Sequence, residues 1–176
     1  MIFMSQSGLL DRSREPDWDV WYVDHLARML TVPGVLSTQR FRTESHGFPT
    51  SLAMYTVVSE DVFSDAVYLS VRGMGEWREM IDREQYRRNL FDGLDEAASV
   101  DRDGALIVAD RPAPVDLDAV PSMTWLRAVA IDKSTPYRGI AVTSGDDLEG
   151  LAGIPDLAIY RPLVAAQRKP VGQEPR

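Results

Sequence analysis

The chain has only two histidines, His25 and His46, and they frame the proton chemistry open to it. An imidazole has an unperturbed pKa of ~6.5, so it can take and return a proton near neutral pH. His25 stands in "WDVWYVDHLARML", where Trp18, Trp21, Tyr22, His25 and Met29 follow one another at helical spacing. That spacing puts the imidazole in the middle of an aromatic stripe, aimed at whatever the helix packs against. A histidine that merely completes a core is the alternative. Large neighbours with polar handles also suit a pocket, in which His25 would be the proton-transfer group and Trp18, Trp21 and Tyr22 the wall; the residues alone leave both readings open. His46, in the turn "ESHGFP", would stand at a pocket rim. Arg40 and Tyr55 fall in two strands further on. Facing the helix, the guanidinium would hold a carboxylate or enolate and the phenol would donate a proton. Tyr68 and Trp77 flank "VRGMG", a two-glycine loop suited to lie over a pocket.

Several other chemistries are excluded. With zero cysteines there is no thiol catalysis, no disulfide and no thiolate metal site. No H-E-x-x-H, no G-x-S-x-G elbow and no phosphate loop ending in Gly-Lys-Ser/Thr occurs. No metal site and no cofactor is expected; the partner is a small-molecule substrate. A formal net charge of −8, from 19 Lys and Arg against 27 Asp and Glu, repels phosphate backbones, so no nucleic-acid partner is expected either. The basic cluster "REQYRR" (Arg83, Arg87, Arg88) reads as a solvated helical face. No segment approaches the ~18 uninterrupted apolar residues of a membrane span, and the first residues lack the basic start of a signal peptide. A soluble, cytoplasmic protein is expected.

The elements that must position these groups follow from pattern. "IFMSQSGLL" suits a strand. Pro16 sits at the first turn of a helix with Asp17 and Asp19 favouring its dipole, and Pro33-Gly34 stops it. "VLSTQRFR" and "SLAMYTVV" alternate as paired strands. Ser59 opens a short acidic helix, "SEDVFSDAVYL", and "EWREMIDREQYRR" is helical in composition before a short closing strand in "NLFDG". The first ~95 residues thus run β-α-β-β-α-β, the ferredoxin-like order. Beyond them "GALIVAD", "MTWLRAVAID", "RGIAVTS" and "DLAIYRPLVA" read as strands, "RPAPVDLDAVP" as a proline-rich connection and "GDDLEGLAG" as a short helix. "LARMLTVPGV" from Leu26 also matches "LEGLAGIPDL" from Leu148 in its aliphatic and proline positions. As a repeat, this would put Asp147 at the place of His25.

"WYVDHLARMLTVPGVLSTQRF", followed by "SLAMYTVVSEDVFSDAVY", resembles the dimeric α+β barrel superfamily in its EthD-like branch. The likeness rests on Trp21-Tyr22, His25, Pro33-Gly34 and Arg40-Phe41 and covers residues 1–95; Ala27 departs from the proline many relatives carry two residues after the histidine. It implies an α+β fold in which two ferredoxin-like antiparallel sheets, with helices on one face, join into a barrel. The expected units are residues 1–96 carrying the site, a reduced second half at 97–166, and a disordered tail at 167–176. The barrel would close within the chain if 97–166 form that half, and between two chains otherwise; a homodimer is expected. Relatives include cofactor-free monooxygenases, lactone isomerases, polyketide cyclases and haem-binding branches, so the fold does not choose a reaction. The expected function is a cofactor-independent lyase or isomerase acting on a small aromatic or lactone-like metabolite. The alternatives are a cofactor-free monooxygenase and a non-catalytic binding or assembly module.

Overall fold

A computed structural model of the chain describes residues 1–144, 148, 150–151 and 153–169. Strand β1 (Ile2–Ser7) leads into α1 (Glu15–Thr31). Pro16 lies in the first turn of α1, and Glu15 and Asp17 oppose the exposed amides there. Trp18, Tyr22, His25, Leu26 and Met29 form its buried face, one side chain every three or four residues. Val32 ends the helix in an extended conformation, and Gly34, at φ +81°, turns the chain into β2 (Val35–Arg42).

Strands β2 and β3 (Ser51–Val57) pair antiparallel, and β3 pairs with β1, which in turn pairs with β4 (Arg87–Asp92). The second half repeats this order: β5 (Ala105–Arg111) lies between β7 (Tyr137–Thr143) and β8 (Ala158–Pro162), and β6 (Thr124–Ile131) pairs with β7. The sets β2-β3-β1-β4 and β6-β7-β5-β8 join at β4–β6 and at β8–β2, so eight antiparallel strands close into a barrel within one chain. The open sheet that would call for a second chain is therefore absent from this fold.

Alternation along the strands sorts side chains between two sides. Ile2, Met4, Phe41, Leu52, Met54, Phe91, Leu106, Val108, Leu126 and Ile140 fill the barrel interior. Arg138 is fully buried with them; its Nε and Nη2 each donate to a carboxylate oxygen of Asp110 at 2.7 Å, and Nη2 also donates to Gln6 at 2.6 Å. Phe3, Ala53, Tyr55, Val57 and Leu90 face outward and carry α1. Among the described residues the outer face of the second half carries no such helix. Residues 112–123 cross it as a loop containing Pro112, Pro114 and Pro121, which interrupt any helical hydrogen-bond ladder, and Leu117, Val120 and Met123 pack on Ile107 and Ala141.

Four expectations need correction. "SEDVFSDAVYL" is two pieces, a 3-10 turn (Glu60–Ser64) and α2 (Ala66–Val71), because Asp65 is extended and its carboxylate caps the amides of Val67 and Tyr68. "EWREMIDREQYRR" is not an α-helix. A 3-10 turn (Gly75–Met80) gives way at Ile81, which bridges to Leu9; Asp82 then caps a turn through Glu84 and Gln85, and Arg87 and Arg88 already belong to β4. Gln167 and Arg168, expected in a disordered tail, form β9 (Gln167–Arg168) against Thr38 and Ser37. The fourth concerns the sequence repeat. In the strand order, the counterpart of α1–β2 is the loop 112–123 with β6, whereas "LEGLAGIPDL" precedes β8. Asp147, most of the "GDDLEGLAG" helix and residues 170–176 lie outside the described residues. Among the described residues no helix is long and apolar enough to cross a membrane.

Gly34 is where the helix exit is most constrained. A Cβ there would meet Val58 Cγ2 and Val62 Cγ2 at 2.7 Å each, on backbone that L side chains rarely adopt. Gly34→Ala is expected to lower the unfolding free energy by about 2 kcal/mol in urea titration; an unchanged midpoint would contradict this account of the turn.

Candidate functional site

A cavity of about 540 Å³ lies between α1 and the outward face of β1, β3 and β4, bounded on its remaining sides by residues 68–88. The fold brings four of the sequence-predicted residues to it: Tyr22 and His25 from α1, Tyr55 from β3 and Tyr68 from α2. Tyr22 and His25 are one helical turn apart, and Tyr55 faces them because odd-numbered positions of β3 point out of the barrel. The loop "RGMG" does border the cavity, through Arg72, Gly73, Met74 and Gly75.

The other candidates stand elsewhere. Trp21 backs the imidazole, stacked on His25 with ring centres 4.9 Å apart and planes 11° from parallel. Trp18 is fully buried beneath the helix. Arg40 is buried below Trp18 and Tyr22, its guanidinium carbon 4.5 and 4.0 Å from their ring centres, and does not line the cavity. Trp77 is buried behind the loop, with Arg14 over its ring at 5.4 Å. His46 borders two separate cavities, one beside Arg161 and Leu163 and one beside Arg87 and Asp110, and does not meet His25.

Sequence reasoning missed the basic wall. Arg72, Arg78, Arg83 and Arg88 line the cavity together with Tyr86, and among the described residues no carboxylate does. A period-two signal was available in "QYRRNL": Tyr86, Arg88 and Leu90 alternate to one side and Arg87 and Asn89 to the other, as a strand demands. Helix-like composition concealed it.

Burial controls the site's electrostatics. It pushes His25 down from 6.5 to about 4, and the nearby Arg28 and Arg40 charges push the same way. The imidazole is therefore neutral at pH 7. Its Nδ1 is buried without a hydrogen-bond partner. Burial also pushes the Tyr22 phenol up to about 12, with Arg40 pulling it back, and raises Tyr55, on which Tyr22 acts in the same direction. Both phenols stay protonated at neutral pH and can donate hydrogen bonds. The cavity thus joins a neutral base to two phenolic donors. Among the described residues no group of three or more His, Asp or Glu side chains is placed to hold a metal ion.

No family model and no curated protein matches the sequence. Solved structures do share the fold. A provisionally assigned monooxygenase from Fusobacterium nucleatum subsp. nucleatum superimposes with a TM-score of 0.55 at 9% identity, covering 96% of this chain and 94% of that one. Another from Lactobacillus acidophilus gives 0.54 at 8% identity, covering 96% and 99%. A provisionally assigned chlorite dismutase gives 0.54 at 10% identity, covering 93% and 95%. These likenesses support the antiparallel α+β barrel fold expected from the sequence, with the barrel here closed by a single chain.

The depressed His25 predicts a pH effect on stability. Between pH 6.5 and 4 the unfolded chain binds a proton at this residue that the folded chain does not, so stability falls as pH drops through that window. The difference of 2.5 units corresponds to about 3 kcal/mol. Unfolding free energies of the wild type and His25→Gln should therefore converge on acidification, the wild type losing about 3 kcal/mol more. Parallel pH profiles would remove the buried, neutral imidazole from the account.

Proposed function

We propose that the protein is a cofactor-independent enzyme that removes a proton from a small aromatic or lactone-like substrate, with His25 as the base. The observation that carries this is the neutral imidazole of His25 lining the cavity beside two protonated phenols. His25 takes the proton next to a substrate carbonyl, and the electron pair moves onto the carbonyl oxygen. Tyr22 and Tyr55 donate hydrogen bonds to that oxyanion. Return of the proton from the imidazolium to a different carbon completes an isomerisation; expulsion of a leaving group completes a lyase reaction. Arg40, expected from the sequence to hold the oxyanion, serves instead to position Tyr22 and to tune His25.

A second reading is favoured by the two structural neighbours described as monooxygenases. On that reading the same proton removal gives a phenolate that reacts with O2, yielding a quinone and water without an external reductant. Oxygen decides between them. Full turnover under nitrogen supports the lyase or isomerase, and turnover lost under nitrogen and restored by air supports the oxygenase. Stabilisation of the fold by aromatic metabolites with no product under either atmosphere supports a binding module.

On either catalytic reading His25→Gln should lower kcat by at least about 100-fold, and Tyr55→Phe by about 10- to 100-fold. The acid limb of kcat/KM should have a pKa near 4, with a plateau through neutrality. Near-full activity in His25→Gln would overturn the assignment.

A further inference from the structure

The charge of the cavity opposes the charge of the chain. Acidic residues outnumber basic ones by 27 to 19, yet four arginines and no carboxylate line this cavity among the described residues. Arg72 and Arg83 have no ion-pair partner among the described residues, and Arg78 has only a 3.8 Å contact with its exposed neighbour Glu79. Arg88 reaches Asp132 with Nη2 at 3.3 Å, its guanidinium carbon 5.5 Å from the Tyr86 ring centre, but its Nε is buried without a partner. Arg72, Arg78 and Arg83 are exposed and solvated at the cavity's edge, whereas Arg88 is half-buried with its Nε unpartnered, the one donor here that an anionic group would complete at a gain. Away from the arginines much of the lining is apolar and aromatic, with Phe3, Met29, Tyr22, Tyr55 and Ile81 among it. The cavity is therefore two-ended, with a flat apolar part and a cationic part.

We propose that its ligand is an aromatic carboxylate, the ring resting among Phe3, Tyr22, Tyr55 and His25 and the carboxylate held by Arg83 and Arg88. This names the substrate class of the enzyme proposed above and rests on that reading for its catalytic meaning, though binding itself does not require turnover. The charge also answers a difficulty with the base. Arg28 and Arg40 disfavour the imidazolium of His25, and a bound carboxylate offsets them, so the base is stronger in the complex than in the empty cavity.

Calorimetric titration with 2-naphthoate, 2-naphthamide and 2-naphthyl phosphate tests the proposal, the three sharing a ring system and differing in charge. Naphthoate should bind at least about tenfold more tightly than the amide, as one or two charge-assisted hydrogen bonds imply. Arg83→Gln, on an exposed turn, and Arg88→Gln should each remove most of that preference while leaving amide binding unchanged. Arg87→Gln makes the same change in net charge on the opposite side of β4, where Arg87 borders another cavity, and should leave the preference intact. Equal binding of acid and amide, or equal losses in Arg83→Gln and Arg87→Gln, would overturn it, and a phosphate preferred tenfold over the carboxylate would overturn the choice of ligand. His25→Gln separates this proposal from the catalytic one. Retained naphthoate preference with lost turnover supports both, whereas retained preference with retained turnover leaves the anion site standing and the base assignment refuted.

Discussion

Arg40 is a buried cation in the middle of a strand, and the placement of α1 follows from how that charge is met. A buried guanidinium is tolerated only when countercharge and hydrogen bonds surround it. Here Nε donates to Ser51 at 3.2 Å and Nη1 lies 2.8 Å from Asp19, whose carboxylate also takes Arg42 at 2.8 Å. Neither Nη group of Arg40 completes an aligned hydrogen bond; the faces of Trp18 and Tyr22 cover the guanidinium instead. Trp18, Asp19 and Tyr22 are contributed by consecutive turns of one helix, so satisfying Arg40 fixes both the rotation and the height of α1 on the sheet. His25 comes one turn later and inherits that placement. Shifting the helix by one residue would leave Arg40 without Asp19 and turn the imidazole away from the cavity.

Closure of the barrel within one chain explains why the cavity lies where it does. An eight-stranded barrel is just wide enough for its own side chains, and the interior is filled by apolar residues and by the Arg138–Asp110–Gln6 network. Space for a ligand of this size must lie outside the sheet, under a covering element. The two halves share a strand order but not a cover. The first carries a helix with an aromatic stripe, and the second carries a proline-interrupted loop packed flat on Ile107 and Ala141. A shared strand order therefore does not bring a shared cover, and the cavity under α1 belongs to the first half.

What could be read from the sequence divides along the same physical line. Periodicities that act within one element were sound: the three-and-four spacing of α1 gave the buried face that carries Tyr22 and His25, and the alternation of β2 and β3 gave their two sides. The prolines of "RPAPVDLDAVP" marked a connection, and the chain crosses there as a loop. Features decided between elements were not accessible. Nothing local says that Trp18 and Arg40 would bury each other, removing both from the cavity wall, or that the turn with His46 would face other cavities. The segment 76–88 was misread because its residues favour a helix in isolation, while Ile81 pairing with Leu9 and the extension of β4 require extended backbone. That error hid the arginines, since a basic cluster on an exposed helix and a basic wall of a cavity are the same letters.

The arginines change how the histidine must be understood. Burial alone would make His25 a weak base, and Arg28 and Arg40 weaken it further. A site evolved only to keep an imidazole neutral would need no more than apolar walls. This one sets four additional cations around the same space in a chain that is otherwise strongly acidic, and it leaves the Nε of Arg88 unpaired. An anionic ligand resolves both features at once. The proposed carboxylate would add countercharge at Arg83 and Arg88 and, by lowering the cost of a nearby imidazolium, would raise the basicity of His25. On the proposed reading, charge recognition and proton transfer depend on one electrostatic balance, in which the anion that pairs with Arg83 and Arg88 also offsets Arg28 and Arg40, the two charges that act on His25.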